Sequence, residues 1–289
     1  MDLEAAICAA FEGACRDELE VPKPGNVHVL AEGHAMTVED FRLAAQKAAP
    51  FMATQGARVG ERILGAVEAS LEATGQNINL GIILLCAPIA AAAEKGESDL
   101  RGSITSTLEE LDLEDARLAF AAIVRSRPGG LGEAAQHDVR APPTVSLRQA
   151  MAEAASRDRI ARQYVSGFAD IFDLGLPVRQ RALARGAEPR LATLAVYLAF
   201  LSAFPDTHIL RKQGAPQAGR VVQQAKGFFE RVAAGARLEA LEAELMAWDR
   251  DLKRAGLNPG TSADLTVATL FSARLQSILR RTGKSGSLQ

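Results

Sequence analysis

The fold of this chain is decided by the stretch Leu191–Phe204, "LATLAVYLAFLSAF". It is fourteen residues long, carries no charged side chain, and is apolar on nearly every face of a helix drawn through it. A helix that is apolar all round belongs inside a protein core. A second run of the same length, Leu80–Ala93, has the same character. Both runs are shorter than the ~18–20 residues needed to cross a bilayer, so we expect two central core helices.

Helical periodicity continues along nearly all of the remaining sequence. In "DLEDARLAFAAIVRSR" the residues Leu113, Ala116, Phe120 and Ile123 fall on one stripe, with charges opposite. Alternating strand patterns are close to absent. The sequence therefore predicts an all-α fold, a single compact domain of about ten helices over residues 1–283 around apolar central helices, with a flexible tail at 284–289. The predicted helices cover residues 2–19, 37–54, 56–74, 78–95, 104–109, 112–127, 146–173, 188–204, 214–233, 236–254 and 261–281.

Composition narrows the class of protein. The 289 residues are 48% hydrophobic, which is ample for a sizeable core, and the net charge of −2 shows no basic stripe for nucleic acid. The three cysteines form no C-x-x-C pair and are typical of small buried hydrophobes in a reducing compartment. The N-terminus has no basic region of a signal peptide. We expect a cytoplasmic protein without membrane or nucleic-acid partners, and a homo-oligomer is left open.

Polar residues beside Gly and Pro gather in five segments between or at the ends of the predicted helices. All four histidines of the chain, His28, His34, His137 and His208, lie in these segments, although the segments cover under a fifth of the chain. Loops are polar by default, but a cluster of this kind is also typical of a site. The segments are "KPGNVHVLAEGH" (23–34), "GQNINLG" (75–81), "RPGGLGEAAQHDV" (127–139), "PDTHILRKQG" (205–214) and "NPGTSADL" (258–265).

Two of these segments place an aspartate at the end of a predicted helix. Asp264 lies in the first turn of the last predicted helix, where free N–H groups suit a phosphate and the carboxylate suits Mg²⁺. A simple capped helix start, with Ser262 or Thr261 as cap, explains the same residues. Asp206 follows the most apolar helix, and a metal ligand or a general base is one reading of it. A surface turn with an Asp–Arg pair is the other.

The remaining segments offer amides, imidazoles and a cation. Lys23 and Asn26 flank a Pro-Gly turn that fixes their directions, and a lysine is a useful point charge for phosphate. A rigid interhelical turn is the plain alternative. Asn77 and Asn79 precede a buried helix, where they could contact phosphate or a base, or cap the helix. The Gly-rich segment follows a helix and not a strand, so it predicts no Rossmann or Walker loop and leaves Asp138 as a candidate.

Taken in order, the motifs resemble one family. The pattern "KPGNVH", a glutamate, "N-x-N-x-G", "DT-x-x-x-R" and "NPG-x-SADL" followed by "ATLF" is similar to triphosphoribosyl-dephospho-CoA synthases, from residue 23 to about 272. The resemblance implies an all-helical enzyme that moves the triphosphoribosyl group of ATP to a hydroxyl of dephospho-CoA and releases adenine. Such a displacement passes through an oxocarbenium-like state, which carboxylates stabilise. The matching positions are Lys23, Gly25, Asn26, Glu61, Asn77, Gly81, Asp206, Thr207, Arg211, Ser262, Ala263 and Asp264.

The resemblance also suggests roles. We expect Asp206 and Asp264 to bind Mg²⁺ and triphosphate, and Lys23, Arg211 and Lys212 to contact phosphates. Glu61 or His208 is expected to act as acid or base, although a solvated ion-pair face with Arg58 and Arg62 would also explain Glu61. The catalytic set is Glu61, Asp206, His208 and Asp264. The substrate-binding set is Lys23, Gly25, Asn26, His28, His34, Asn77, Asn79, Asp138, Arg211, Lys212 and Ser262.

The chain departs from the family pattern in places that bear on the acceptor. Where the family has a Thr-His-Lys run, this chain has Ile78, Asn79 and Leu80, and "LRKQG" replaces a His-Arg-Gly-Gly run. The acceptor is therefore either dephospho-CoA or another compound in a different coenzyme pathway. A non-catalytic helical nucleotide-binding module is the third hypothesis.

Overall fold

A computed structural model describes residues 2–129 and 136–286, with side chains up to residue 281. Within these residues the protein has fourteen α-helices, one π-helical segment and no strand, so the predicted all-α class is confirmed. The helices are α1 Leu3–Leu19, α2 Val38–Ala53, α3 Val59–Thr74, α4 Leu80–Glu94, α5 Leu100–Glu110, α6 Leu113–Ser126, α7 Leu147–Ala154, α8 Arg159–Ser166, the π-helix Asp170–Gly175, α9 Leu176–Ala184, α10 Pro189–Ala203, α11 Thr207–Gln213, α12 Ala215–Ala233, α13 Leu238–Arg254 and α14 Gly260–Gly286.

The chain divides into two compact units. The first unit comprises the described residues of 1–14, 41–168 and 271–289, and the second comprises residues 15–40 and 169–270. The single domain predicted over 1–283 stays a prediction. Helix α14 continues to Gly286, into the segment 284–289 that was predicted to be a flexible tail, and residues 287–289 lie outside the described residues.

The core of the first unit is built on the predicted apolar helix α4. Its residues from Ile82 to Ala90 are all buried, and α3, α5 and α8 pack against it. The hydroxyl of Tyr164 in α8 donates to the carbonyl of Leu84 at 2.6 Å. Because that carbonyl lies four residues before Pro88, which has no N–H, the tyrosine supplies the hydrogen bond that the helix cannot make.

The core of the second unit is built on α10, as the opening stretch of sequence predicts. Residues Ala192–Ser202 are all buried, and α9 and α12 pack against this helix. Its Tyr197 hydroxyl donates to the carbonyl of Pro24 at 2.8 Å. The buried helix α10 therefore also holds, through Tyr197, the loop that contains the first motif.

Two predicted helix boundaries, the end of α3 and the start of α2, are confirmed by the residues that end and cap these helices. Gly75 ends α3 with a φ of 71°, as expected for a glycine at a helix C-terminus. The predicted capping box before α2 is present, since the Thr37 N–H donates to Asp40 at 2.8 Å and the Asp40 N–H to the Thr37 hydroxyl at 3.1 Å.

The predicted number of about ten helices is wrong, and its largest error is the long helix at 146–173. Asp158 caps a new helix start, accepting from the N–H groups of Ile160 and Ala161. Gly167, with a φ of 63°, ends that helix, and the π-helix follows. Helix α9 was missed, although its Pro177 is well suited to the first turn of a helix.

No single helix in the described part of the chain is long and apolar enough to span a membrane. Helices α10 and α11 together pass that test of length and composition, but the pair is bent by 48° between them.

Candidate active site

The second unit brings together three of the five polar segments, 23–34, 205–214 and 258–265. The amide of Asn26 donates to the side-chain oxygen of Asn258 at 2.8 Å, which joins the first segment to the last. Asp206 accepts hydrogen bonds from Ser262, which joins the third to the last. These three segments therefore lie together, and their interpretation as one site stays a prediction.

Lys23 is completely buried and forms an ion pair with Glu18 at the end of α1. Its ammonium also donates to the side-chain oxygen of Asn26 at 3.0 Å. Burial lowers the pKa of Lys23 and raises the pKa of Glu18, while their mutual attraction opposes both shifts. In this structure the lysine charge is therefore neutralised inside the protein, and its expected contact with phosphate stays a prediction.

Gly25 occupies a position that only glycine fits. Its φ is 85°, and an added Cβ would lie 2.8 Å from the ring of Pro259. Its N–H donates to Asp249 at 2.8 Å, and its carbonyl accepts from the ring of His34 at 2.8 Å. The glycine is therefore fixed from both sides, and His34 closes the loop.

His28 is buried with no hydrogen-bond partner for either ring nitrogen among the described residues. Its Nε2 lies 3.5 Å from Asp249 Oδ1, which is longer than an ordinary hydrogen bond. Burial lowers the pKa of His28, so the ring is neutral at pH 7. Burial also raises the pKa of Asp249, but the nearby ring of His28 and the hydrogen bonds from Lys253 and Gly25 outweigh that and hold it below its ordinary value.

Asp206 is fully buried and joins the starts of two helices. One carboxylate oxygen accepts from the N–H groups of His208 at 2.9 Å and Ile209 at 3.2 Å, and so caps α11. The other accepts from the N–H and the hydroxyl of Ser262, both at 2.8 Å, in the first turn of α14. Burial raises the pKa of Asp206, and these four hydrogen bonds oppose that rise. The expected surface turn with an Asp–Arg pair is wrong, because the carboxylate is inside the protein.

A group of cations surrounds His208 at α11. Burial, and the positive charges of Lys212, Arg211 and His34, lower the pKa of His208 from 6.5 to about 3. Partial burial and Arg211 lower the pKa of Lys212 as well. The imidazole also packs tightly on the start of α14, where an added Cβ on Gly260 would lie 2.5 Å from its Nδ1. We call His34, His208, Arg211 and Lys212 the α11 cation cluster.

Mg²⁺ is expected from the resemblance, but the described side chains offer it few ligands. Across residues 2–129 and 136–281, no three His, Cys, Asp or Glu side chains stand close enough to hold a metal together. Both oxygens of Asp206 are already occupied by donors. Mg²⁺ that arrives with a nucleotide needs only one or two carboxylates, because phosphates and water complete its shell. The residues fit a metal carried by a triphosphate and not a cage of protein carboxylates.

The other four predicted site residues belong to the first unit. Glu61 is exposed and accepts from the Arg58 N–H at 2.8 Å, as part of a capping box. Asn79 is buried and donates to the Ser70 hydroxyl at 3.2 Å. Asn77 is half-buried, and Asp138 accepts from the Arg140 N–H at 2.9 Å. The roles of these four in a site stay predictions.

Two carboxylates of the second unit were missed. Asp249 lies on the apolar stripe of α13 between Leu245 and Leu252, and Glu18 lies on the stripe of α1 that contains Cys15. A carboxylate on an apolar stripe is expensive unless it is paired, and that was the available signal. Each is buried against a group of the first motif.

Comparisons with known proteins agree with this geometry. The model of the ATP:dephospho-CoA triphosphoribosyl transferase family matches residues 4–282, and the chain belongs to this family. A 2-(5''-triphosphoribosyl)-3'-dephosphocoenzyme-A synthase of Klebsiella pneumoniae is 36% identical over 110 residues, 38% of each chain. A probable enzyme of the same name from Pseudomonas fluorescens is 29% identical over 189 residues, 65% of this chain and 57% of that protein.

A solved structure is also similar. A crystal structure described as a triphosphoribosyl-dephospho-CoA synthase from Archaeoglobus fulgidus matches with a TM-score of 0.60 and 26% identity. The match covers 80% of this chain and 96% of that one. The aligned stretches of the two curated relatives named above span 57% and 38% of those proteins. The resemblance drawn from the motifs is confirmed at the level of the family.

Proposed function

We propose that this protein is a transferase that moves the triphosphoribosyl group of ATP to an acceptor hydroxyl and releases adenine, in coenzyme or prosthetic-group biosynthesis. Membership of the ATP:dephospho-CoA triphosphoribosyl transferase family supports the reaction class. In this reaction the bond between the ribose anomeric carbon and adenine breaks, and a bond to the acceptor oxygen forms. The hydroxyl proton passes to a base, and adenine leaves with a proton.

The observation that carries the proposal is the match of the transferase family model to residues 4–282, and the α11 cation cluster offers a place for the triphosphate. The charges that lower the pKa of His208 are all positive: Lys212, Arg211 and His34. An anion that lies among these side chains is attracted by their positive charge. A triphosphate is such an anion, and Arg and Lys are the usual residues that hold it.

The phosphates belong at α11 and not at the start of α14. Three of the first four N–H groups of α14 already donate within the protein, since Gly260 bonds to Asn258, Ser262 to Asp206 and Ala263 to Pro259. A helix N-terminus binds an anion through free N–H groups, so little of that capacity is left here. Asp206 itself supplies the negative charge at this terminus.

Asp206 and Asp264 have different roles in the proposed reaction. Asp206 is a positioning residue, because its four hydrogen bonds hold α11 and α14 together and leave its oxygens occupied. Asp264 is half-buried and near enough to Lys23 that its charge raises the pKa of that lysine. Asp264 would hold Mg²⁺ on the triphosphate, and the metal would neutralise phosphate charge. A pKa of about 3 is too low for a base at pH 7, but a triphosphate bound beside His208 would raise that pKa, and the imidazole would then take the acceptor proton.

The test is release of adenine from ATP and Mg²⁺ with dephospho-CoA, followed by chromatography. Lys212→Ala should raise KM for ATP about tenfold or more, because a charge-assisted hydrogen bond contributes about 1.5–3 kcal/mol. Lys226→Ala, an exposed lysine of the same unit, is the matched control and should leave KM unchanged. Asp264→Asn should lower kcat.

The outcomes separate the three hypotheses. Adenine release with dephospho-CoA supports the proposal in full. Adenine release with another hydroxyl acceptor, but not with dephospho-CoA, supports the transferase with a different acceptor. That result would agree with the departures at Ile78, Asn79 and Leu80. ATP binding without adenine release from any hydroxyl acceptor tested would reject the transferase in favour of a nucleotide-binding module.

A further inference from the structure

The second unit contains a pocket at the other end of α10 from Asp206. It has a volume of about 630 Å³ and is lined by residues of α9, α10, α12 and α13 and of the loops between them. Its wall on α10 includes Leu191, whereas Asp206 follows the last residue of that helix, Ala203. The lining also reaches Ala195, and the eight to twelve helical residues from these lining residues to Ala203 rise about 12–18 Å, so the pocket is a separate place from the α11 cation cluster.

The floor of this pocket is apolar. Val178 and Val232 are buried, and Leu191, Phe229 and Leu238 also line the pocket. The volume lies within the range of roughly 300–1,000 Å³ that is typical of small-molecule sites. The floor therefore suits the apolar body of a small molecule.

The mouth of the pocket is rich in arginine. Arg181 and Arg185 stand four residues apart on and just after α9, and Arg237 lines the pocket from the loop before α13. The lining also contains Glu188 and Glu239, and Glu239 is paired with Arg237 at 3.4 Å. Apart from that pair, the lining has two arginines and one glutamate, and this net positive charge favours an anionic group at the mouth.

The two loops that form the mouth are held in place. Arg185 donates to the carbonyl of Ala233 at 2.5 Å, which connects the loop before α10 to the end of α12. Each loop turns at a left-handed glycine, Gly186 with a φ of 83° and Gly235 with a φ of 96°. The arginine rim is therefore shaped before a ligand arrives, which lowers the entropic cost of binding.

We propose that this pocket is a second ligand site, which takes an amphipathic anion with an apolar body and one carboxylate, phosphate or sulfonate group. The apolar body lies on the floor between α10 and α12, and the anionic group lies between Arg181 and Arg185. The proposal does not depend on the transferase reaction, because none of these residues takes part in it.

The test uses 8-anilinonaphthalene-1-sulfonate, an apolar aromatic with one sulfonate, and the full chain. We expect one probe to bind per chain, with fluorescence excited by energy transfer from the single tryptophan, Trp248. Decanoate should displace the probe, and inorganic phosphate should not. The double variant Arg181→Gln, Arg185→Gln should weaken binding about tenfold or more, whereas Arg250→Gln, an exposed arginine on α13, should not.

Substitutions that fill the pocket test whether the probe binds there. Ala182→Phe places a ring in the pocket from α9 and should abolish binding, and Ala233→Phe, at an exposed position, is the second variant in case the first does not fold. Probe binding that survives both substitutions would overturn the proposal. Displacement by ATP would also overturn it, since that result would move the probe to the α11 cation cluster. Binding that is insensitive to the double arginine variant would reject the anionic group.

Discussion

Asp206→Asn should destabilise the protein before it affects any ligand. The carboxylate is fully buried and accepts four hydrogen bonds, two from the start of α11 and two from Ser262. Asparagine keeps one oxygen for α11 but presents an NH₂ group to the Ser262 N–H. Ser262 can rotate its hydroxyl to accept from that NH₂, so one buried N–H is left without a partner.

The size of the effect follows from these contacts. A buried unsatisfied donor costs about 1–3 kcal/mol, and the remaining hydrogen bonds lose the contribution of the negative charge. We expect a loss of about 2–4 kcal/mol in the free energy of unfolding. With an m-value of roughly 3 kcal/mol/M, the urea midpoint should fall by about 1 M. Asp251→Asn, an exposed aspartate of the same unit, should change stability by less than about 0.5 kcal/mol.

A double-mutant cycle with Ser262→Ala then tests the contact itself. The two substitutions should show a coupling energy of about 1 kcal/mol, because they remove the same hydrogen bond. The reasoning would be refuted if Asp206→Asn unfolded at the wild-type urea concentration while activity was lost. That outcome would return Asp206 to the metal-binding role expected from the resemblance.

Three further predictions concern the same unit. Lys23→Met should lower the free energy of unfolding, measured by urea titration, by about 3–5 kcal/mol, because Glu18 is left buried without its partner. Adding Glu18→Leu should recover most of that loss, and no recovery would contradict the pairing of the two residues. Gly25→Ala should cost about 2–4 kcal/mol, because its φ is positive and the added Cβ would lie 2.8 Å from a neighbour. Gly75→Ala, also at positive φ but with open space, should cost only about 1 kcal/mol, and equal losses would count against the packing argument. The pKa of His208 is about 3 in the folded protein, below its unfolded value of 6.5. The contribution of neutral His208 to the free energy of unfolding is therefore full above pH 6.5 and is lost as the pH falls toward 3. The loss is up to about 1.4 kcal/mol per pH unit. His208→Gln should flatten that slope in unfolding titrations between pH 7 and 5, and an unchanged slope would contradict the shift.

Periodicity predicted the helices well because burial dominates them. Helix α10 is apolar all round and is buried from Ala192 to Ser202, as the sequence indicates. Helix α11 was missed because it has only seven residues and its cap, Asp206, was interpreted as a catalytic or metal-binding residue. A capping aspartate and a ligand-binding aspartate use the same atoms, so sequence cannot separate them without the donors around them.

The candidate site was predicted in part. Motif order was enough to predict that Asn26, Asp206 and Ser262 lie together, and the structure joins their segments. The burial of Lys23 was not predicted, because its partner Glu18 belongs to a helix that carries no motif. The contribution of Asp249 was missed for the same reason, since its contact with Gly25 joins residues 224 positions apart.

These long separations set the order in which the protein can fold as it is synthesised. Gly25 depends on Asp249, Asn26 on Asn258, and Ala31 on Lys253, across 224, 232 and 222 residues. At translation rates of about 5–20 residues per second, the first motif waits roughly 10–45 s for its partners. During that interval the loop has neither its carboxylate nor its amide contacts. A chain that stops before α13 would therefore keep the first motif in its sequence and never form the loop that gives that motif its shape.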